Sequence, residues 1–132
     1  MMDKIRILLV DDSITFLNMA AGFLSDHDNL ILVGTAQNVD EALSLAADLH
    51  PDIVLLDVNM PGLSGFETTP YLRQILPGAG IIILSFQNSD IYKEAALVAG
   101  ADAFLGKEAL AEELIPAINR VSRRNERLAS VE

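Results

Sequence analysis

The chain has no cysteine among its 132 residues. A disulfide framework and a thiolate metal site are therefore excluded, and a reducing cytoplasm is a compatible compartment. It has no apolar run near the roughly 18 residues of a membrane span. Its start, Met1-Met2-Asp3-Lys4, lacks a signal-peptide pattern. Basic residues are few: 9 Lys and Arg stand against 19 Asp and Glu, a net charge of −10. That balance disfavours nucleic acid as a partner of the domain body. Arg120, Arg123, Arg124 and Arg127 crowd the last segment. They read as a solvated helix face, which the helix dipole favours near a C-terminus. Repeats and low-complexity tracts are also absent. What remains, 51% apolar, is one domain long enough to bury a real core.

Five apolar, β-rich runs punctuate the chain: 5–10, 30–36, 53–57, 81–84 and 103–105. Between them lie segments of helical periodicity. The first, about 14–25, presents Phe16, Leu17, Ala20, Phe23 and Leu24 on one face. The second runs to about Leu49, with Asn38 to Glu41 as a capping box, and Pro51 stops it. Ser64 to Glu67 is a second capping box, for a helix reaching about Leu76. Pro70 inside it predicts a kink or a late start. A helix over about 89–99 ends at Gly100. The last spans about 111–127, and Pro116 predicts that it begins late. The run Ile81-Ile82-Ile83-Leu84 is the most apolar and is expected to be central. Strict alternation gives an α/β domain, (βα)5, with a parallel sheet, right-handed crossovers and helices on both faces.

In a parallel sheet all strand C-termini share one edge, and ligands bind there. That edge receives Asp11 and Asp12, then Asp57, Ser85 and Lys107. Three carboxylates in one site repel each other, and a hard divalent cation relieves that repulsion. Such a cation draws in a phosphoryl group and offsets charge on its oxygens. Asp57 is then the natural nucleophile, as the source of an aspartyl phosphate. Lys107 would face the phosphoryl oxygens as a point charge, and Ser85 would donate a hydrogen bond to them. Taken singly, these residues read as a turn cap, a helix start, a snorkelling lysine and a loop serine.

With those residues in view, the chain resembles a receiver domain of bacterial two-component response regulators over residues 4–121, with 122–132 as the end of the last helix and a tail or linker. The resemblance rests on Leu9-Val10-Asp11-Asp12-Ser13, the block from Leu55 to Gly65, Ser85 after its strand, Ala99-Gly100-Ala101-Asp102-Ala103-Phe104, and Lys107. It implies a flavodoxin-like strand order 2-1-3-4-5. It implies phosphorylation of Asp57 by a histidine kinase or phosphotransfer protein. Mg²⁺, or Mn²⁺ in its place, would be held directly by Asp12, Asp57 and the Asn59 carbonyl, and by Asp11 mostly through water. Ser85 and Phe104 would form the switch. The face of the fourth helix, fifth strand and fifth helix would carry the signal, and a homodimer through it is among the implied partners. The Ala-Gly-Ala-Asp-Ala stretch and Lys107-Glu108 lean towards the subgroup often joined to helix-turn-helix DNA-binding domains. No membrane contact is implied, and the cytoplasm is the implied location.

Two residues depart from the family pattern. Phe86 stands where a small residue is usual. It either narrows access to Asp57 or points into the core or onto a partner. Pro70 is unusual in the third helix but lies away from the chemistry. Whether Ile91, Tyr92 and Leu97 form a dimer face or pack inside is open at this stage. Other classes remain to be weighed. An aspartyl-nucleophile hydrolase wants a second acid two residues after the nucleophile, where this chain has Asn59. A flavin or nucleotide module wants a Gly/Ser/Thr-rich loop after the first strand, where this chain has two acids. A degenerate receiver that only binds proteins is the remaining alternative.

Overall fold

Every residue of the third strand is buried, because helices cover the sheet on both sides. A computed structural model describes residues 4–87 and 89–130. The order is β1 (Ile5–Val10), α1 (Ile14–Ser25), β2 (Leu30–Ala36), α2 (Val39–Leu49), β3 (Ile53–Asp57), α3 (Gly65–Ile75), β4 (Gly80–Ser85), α4 (Asp90–Ala99), β5 (Ala103–Gly106), a 3-10 turn (Lys107–Ala109) and α5 (Leu110–Ser130). The strands pair in parallel in the order β2-β1-β3-β4-β5. The expected (βα)5 layout and strand order are therefore present. The middle position belongs to β3, however, with the more apolar β4 beside it. Among the described residues, no helix is long and apolar enough to cross a membrane.

The two-residue period of the strands splits the core cleanly. Ile7, Leu9, Ile53, Leu55, Ile82, Leu84 and Leu105 face α1 and α5, meeting Phe16, Leu17, Leu24, Leu114 and Ile118. Leu8, Val10, Val54, Leu56, Ile81 and Ile83 face the other way, towards Val39, Ala42, Leu72 and Ala96 of α2, α3 and α4.

Local chemistry sets most helix ends. Ser13, Asn38, Ser64 and Ser89 cap α1, α2, α3 and α4 by accepting from backbone amides. At Ser64 both halves of the capping box form. At Asn38 only one does, since Glu41 reaches one residue further and accepts from the Gln37 amide at 2.9 Å. His50, left-handed with φ 48°, closes α2 ahead of Pro51. Gly100 closes α4 with φ 105°, a conformation that side chains resist.

Neither internal proline delays its helix. Helix α3 starts at Gly65 with Pro70 inside, so there is no late start. Helix α5 starts at Leu110, with Pro116 in its second turn. Pro116 removes the amide that would reach the Glu112 carbonyl. Both residues are exposed, so water can satisfy that carbonyl and the ring displaces no core atom.

Long-range polar contacts fasten the edge opposite the strand C-termini. Asp102 accepts from the Ile81 amide at 2.8 Å and from Arg73 at 2.8 Å, and also pairs with Arg124. Arg73 in turn donates to the Gly100 carbonyl at 2.9 Å. One carboxylate thus joins α3, β4, the approach to β5 and α5.

Gly65 has a positional reason. A Cβ there would stand 2.6 Å from the Asp57 carbonyl oxygen and 3.0 Å from Val58 Cα. These are backbone atoms that cannot swing away. Gly65→Ala should therefore cost about 1–3 kcal/mol by overpacking, while Gly78→Ala, where no atom lies within 4 Å, should cost far less. Urea unfolding of the two variants checks this, and equal losses would contradict it.

Candidate functional site

The strand registers place the polar residues side by side. Val10 pairs with Leu56, so Asp11 falls level with Asp57. Asp57 pairs with Leu84, which puts Ser85 one step above it. Ser85 pairs with Gly106, and Lys107 follows. Four strands that end apolar runs in polar side chains therefore deliver them to one rim.

There Lys107 reaches back over the sheet. Its Nζ donates to Asp11 Oδ2 at 2.7 Å and pairs with Asp57 Oδ1 at 2.9 Å. Asp11, Asp57 and Lys107 are all buried, while Asp12 is exposed. The other Asp11 oxygen accepts from the Ser13 amide at 2.9 Å, which fixes the carboxylate at the mouth of α1. Asp11, Asp12 and Asp57 can each offer an oxygen within 4.8 Å of the others. Lys107 supplies one positive charge against these three negative ones. A set of hard oxygen donors with excess negative charge suits a hard divalent cation. Beside the cluster a cavity of about 380 Å³ is lined by Asp12, Val58, Asn59, Met60, Pro61, Gly62, Ser64 and Glu67.

The electrostatics follow from burial. Loss of water pushes the Asp57 carboxyl above its ordinary value, and repulsion from Asp11 and Asp12 adds to this against the opposing pull of Lys107. Burial also works against the Lys107 ammonium. Its hydrogen bonds to Asp11 and Asp57 outweigh that, so it holds its proton more tightly than a free lysine.

Ser85 is fully buried, and its hydroxyl accepts from the Gln87 amide at 2.9 Å. Asn59 lines the cavity next to Asp12. Phe104 lies half-buried against the core face that carries α2, α3 and α4. It also lines a groove of about 450 Å³ between α4 and α5, with Lys93, Leu97, Glu112 and Arg120. On α4, Tyr92 turns in and meets Phe66 edge-on, with ring centroids 5.6 Å apart. Ile91 and Leu97 turn out.

The sequence model of the response regulator receiver domain family matches residues 7–119. The chain belongs to that family. It is 34% identical over 116 residues to the nitrate/nitrite response regulator protein NarL of Escherichia coli strain K12, covering 88% of this chain and 54% of that protein. It is 32% identical over 119 residues to the transcriptional regulatory protein MctR of Rhizobium johnstonii, covering 90% and 56%. The chain thus spans about half the length of these curated relatives. The crystal structure of a LuxR-family two-component response regulator from Aurantimonas superposes with a TM-score of 0.87 at 29% identity, covering 92% of this chain and 86% of that one. Membership carries the general function, a phosphoacceptor signalling module of two-component systems.

Sequence reading of this receiver domain missed one neighbour of the site. Phe16 has the right spacing for the buried face of α1, and it is buried, but its ring centroid also lies 4.3 Å from Lys107 Nζ. Nothing local to α1 signals that contact, which needs β5 in place. Phe86 was singled out for its bulk. It is neither core nor buried, and its ring centroid stands 5.0 Å from the same ammonium.

The pKa directions set a pH dependence. Asp57 binds its proton more tightly folded than unfolded. Its contribution to stability is therefore greatest below its ordinary 3.8 and declines as pH rises through the higher folded value. Lys107 contributes fully below its ordinary 10.5 and loses that only as pH passes its higher folded value. In metal-free buffer, the stability of the wild type relative to Asp57→Asn should fall as pH rises from about 4. Urea melts across pH check this, and parallel curves would contradict it.

Proposed function

We propose that Asp57 is the phosphoacceptor of this receiver domain and that Asp11, Asp12, Ser85, Lys107 and Phe104 serve it. The observation that carries the reading is the hydrogen-bonded contact of Lys107 with both Asp57 and Asp11 inside a three-carboxylate rim. An oxygen of Asp57 attacks phosphorus, and the bond to the donor's leaving atom breaks with its electron pair. Lys107, already at the nucleophile, faces the transferred oxygens as a fixed positive charge. Ser85, one register step above, then meets the new acceptor oxygens. Space behind it opens towards Phe104, which lacks a hydroxyl and so signals through packing alone, at the groove between α4 and α5.

Asp12, Asp57 and the Asn59 carbonyl would hold Mg²⁺ or Mn²⁺ directly, with Asp11 acting mostly through water. The donor set fits, being all oxygen with excess negative charge. When bound, the cation neutralises charge on the acids and on the phosphoryl oxygens. The phosphodonor is a histidine kinase or phosphotransfer protein, and the module turns over no external substrate. The functional unit is residues 4–121. The names of the relatives, a transcriptional regulatory protein and a nitrate/nitrite response regulator, support transcriptional control as the process served. The cytoplasm, compatible with the lack of cysteine, is the proposed location.

With Mg²⁺ and acetyl phosphate, intact mass should rise by one phosphoryl group, and Asp57→Asn should show no rise. An unchanged wild-type mass overturns the assignment. Mg²⁺ at a hundred times its dissociation constant should stabilise the wild type by about 2.7 kcal/mol. Asp12→Ala should lose most of that gain at the same Mg²⁺ concentration, as thermal melts would show.

A further inference from the structure

Among the described residues, four groups lie against the Lys107 ammonium. Two are the carboxylates of Asp11 and Asp57, and two are the rings of Phe16 and Phe86 at 4.3 Å and 5.0 Å. Asp11, Asp57 and Phe16 are 1%, 4% and 7% exposed, whereas Phe86 is 70% exposed. Phe86 is therefore the outer wall. It follows Ser85, which is fully buried, so the chain leaves the core at this residue. A ring so exposed gains little from packing. Its specific neighbour is the Lys107 ammonium, and a ring face attracts such a charge even where the ring itself is exposed.

We propose that Phe86 acts as an aromatic cover over the phosphoryl site, held by Lys107, that slows hydrolysis of the aspartyl phosphate on Asp57. The proposal rests on the phosphoacceptor reading of Asp57. In that hydrolysis a water oxygen bonds to phosphorus. The bond from phosphorus to the Asp57 oxygen breaks, its electron pair returns to the carboxylate, and the water's protons leave with inorganic phosphate. The Asp57 carboxylate is buried, so its phosphoryl group points to the rim. In-line attack comes from the side opposite the Asp57 oxygen, which is the solvent side. The Phe86 ring, 70% exposed and 5.0 Å from the ammonium that itself lies 2.9 Å from Asp57, would stand on that side. It acts through Lys107 and through exclusion of water, so it is a positioning residue.

The test loads wild type, Phe86→Ala, Phe86→Leu and Phe86→Tyr with acetyl phosphate and Mg²⁺, removes the donor and follows intact mass. Phe86→Ala should lose the phosphoryl group about two- to five-fold faster than wild type, the range that corresponds to a cation–π contact at an exposed site. Phe86→Tyr should match wild type. Phe86→Leu, which keeps bulk without a π face, should fall between. The Lys107 ε-methylene proton resonances, shifted by the two rings, should move in Phe86→Ala while the melting temperature stays put. Loss at the wild-type rate in Phe86→Ala overturns this proposal alone. So does an unmoved Lys107 resonance, or a fall in melting temperature that accounts for the change. A wild type that never gains the phosphoryl group overturns the assignment of Asp57, and this proposal with it.

Discussion

The contact of Lys107 with Asp11 and Asp57 is what the rest of the structure serves. It joins the ends of β1, β3 and β5, residues 96 positions apart at the extremes. A buried charge pair of this kind is a poor source of net stability, because desolvation of the ions offsets their attraction. Removing one partner is another matter, costing about 3–5 kcal/mol through the charge left behind. The cluster therefore constrains the strand ends more than it strengthens the fold. The stability has to come from the two apolar layers, which meet at strands buried from both sides.

The excess negative charge is the other half of the arrangement. Three acids and one ammonium leave the rim short of positive charge, and burial makes that shortage felt at Asp57. Excess negative charge on hard oxygen donors is the condition that a hard cation would relieve. Gly65 belongs to this arrangement too, since its missing side chain lets the first turn of α3 lie directly on the Asp57 backbone.

The general plan of the molecule could be read from the chain because its rules are local. Apolar runs gave the strands, and Asn38, Ser64, Ser89 and Gly100 marked helix ends through their own bonding habits. The rim residues were legible because a parallel sheet sends every strand end to one edge. The failures share a cause. Pro116 was expected to delay α5, but the cost of a proline depends on whether the orphaned carbonyl is wet, and that is set by tertiary packing. Glu41 bonds to Gln37 and not to Asn38, a choice of one residue that capping statistics do not resolve. Phe16 meets Lys107, and Asp102 meets Arg73 and Arg124, only when distant segments have docked.

Asp102 gives the molecule a fulcrum. It pairs with α5 at Arg124, near the edge opposite the strand C-termini. From Arg124 back to Leu110, α5 extends about 21 Å at ~1.5 Å per residue. A tilt of about 3° at the anchored end moves the free end by about 1 Å on that length. A displacement of about 1 Å at Leu110, beside the rim, thus corresponds to a rotation of only about 3° where α5 meets Asp102.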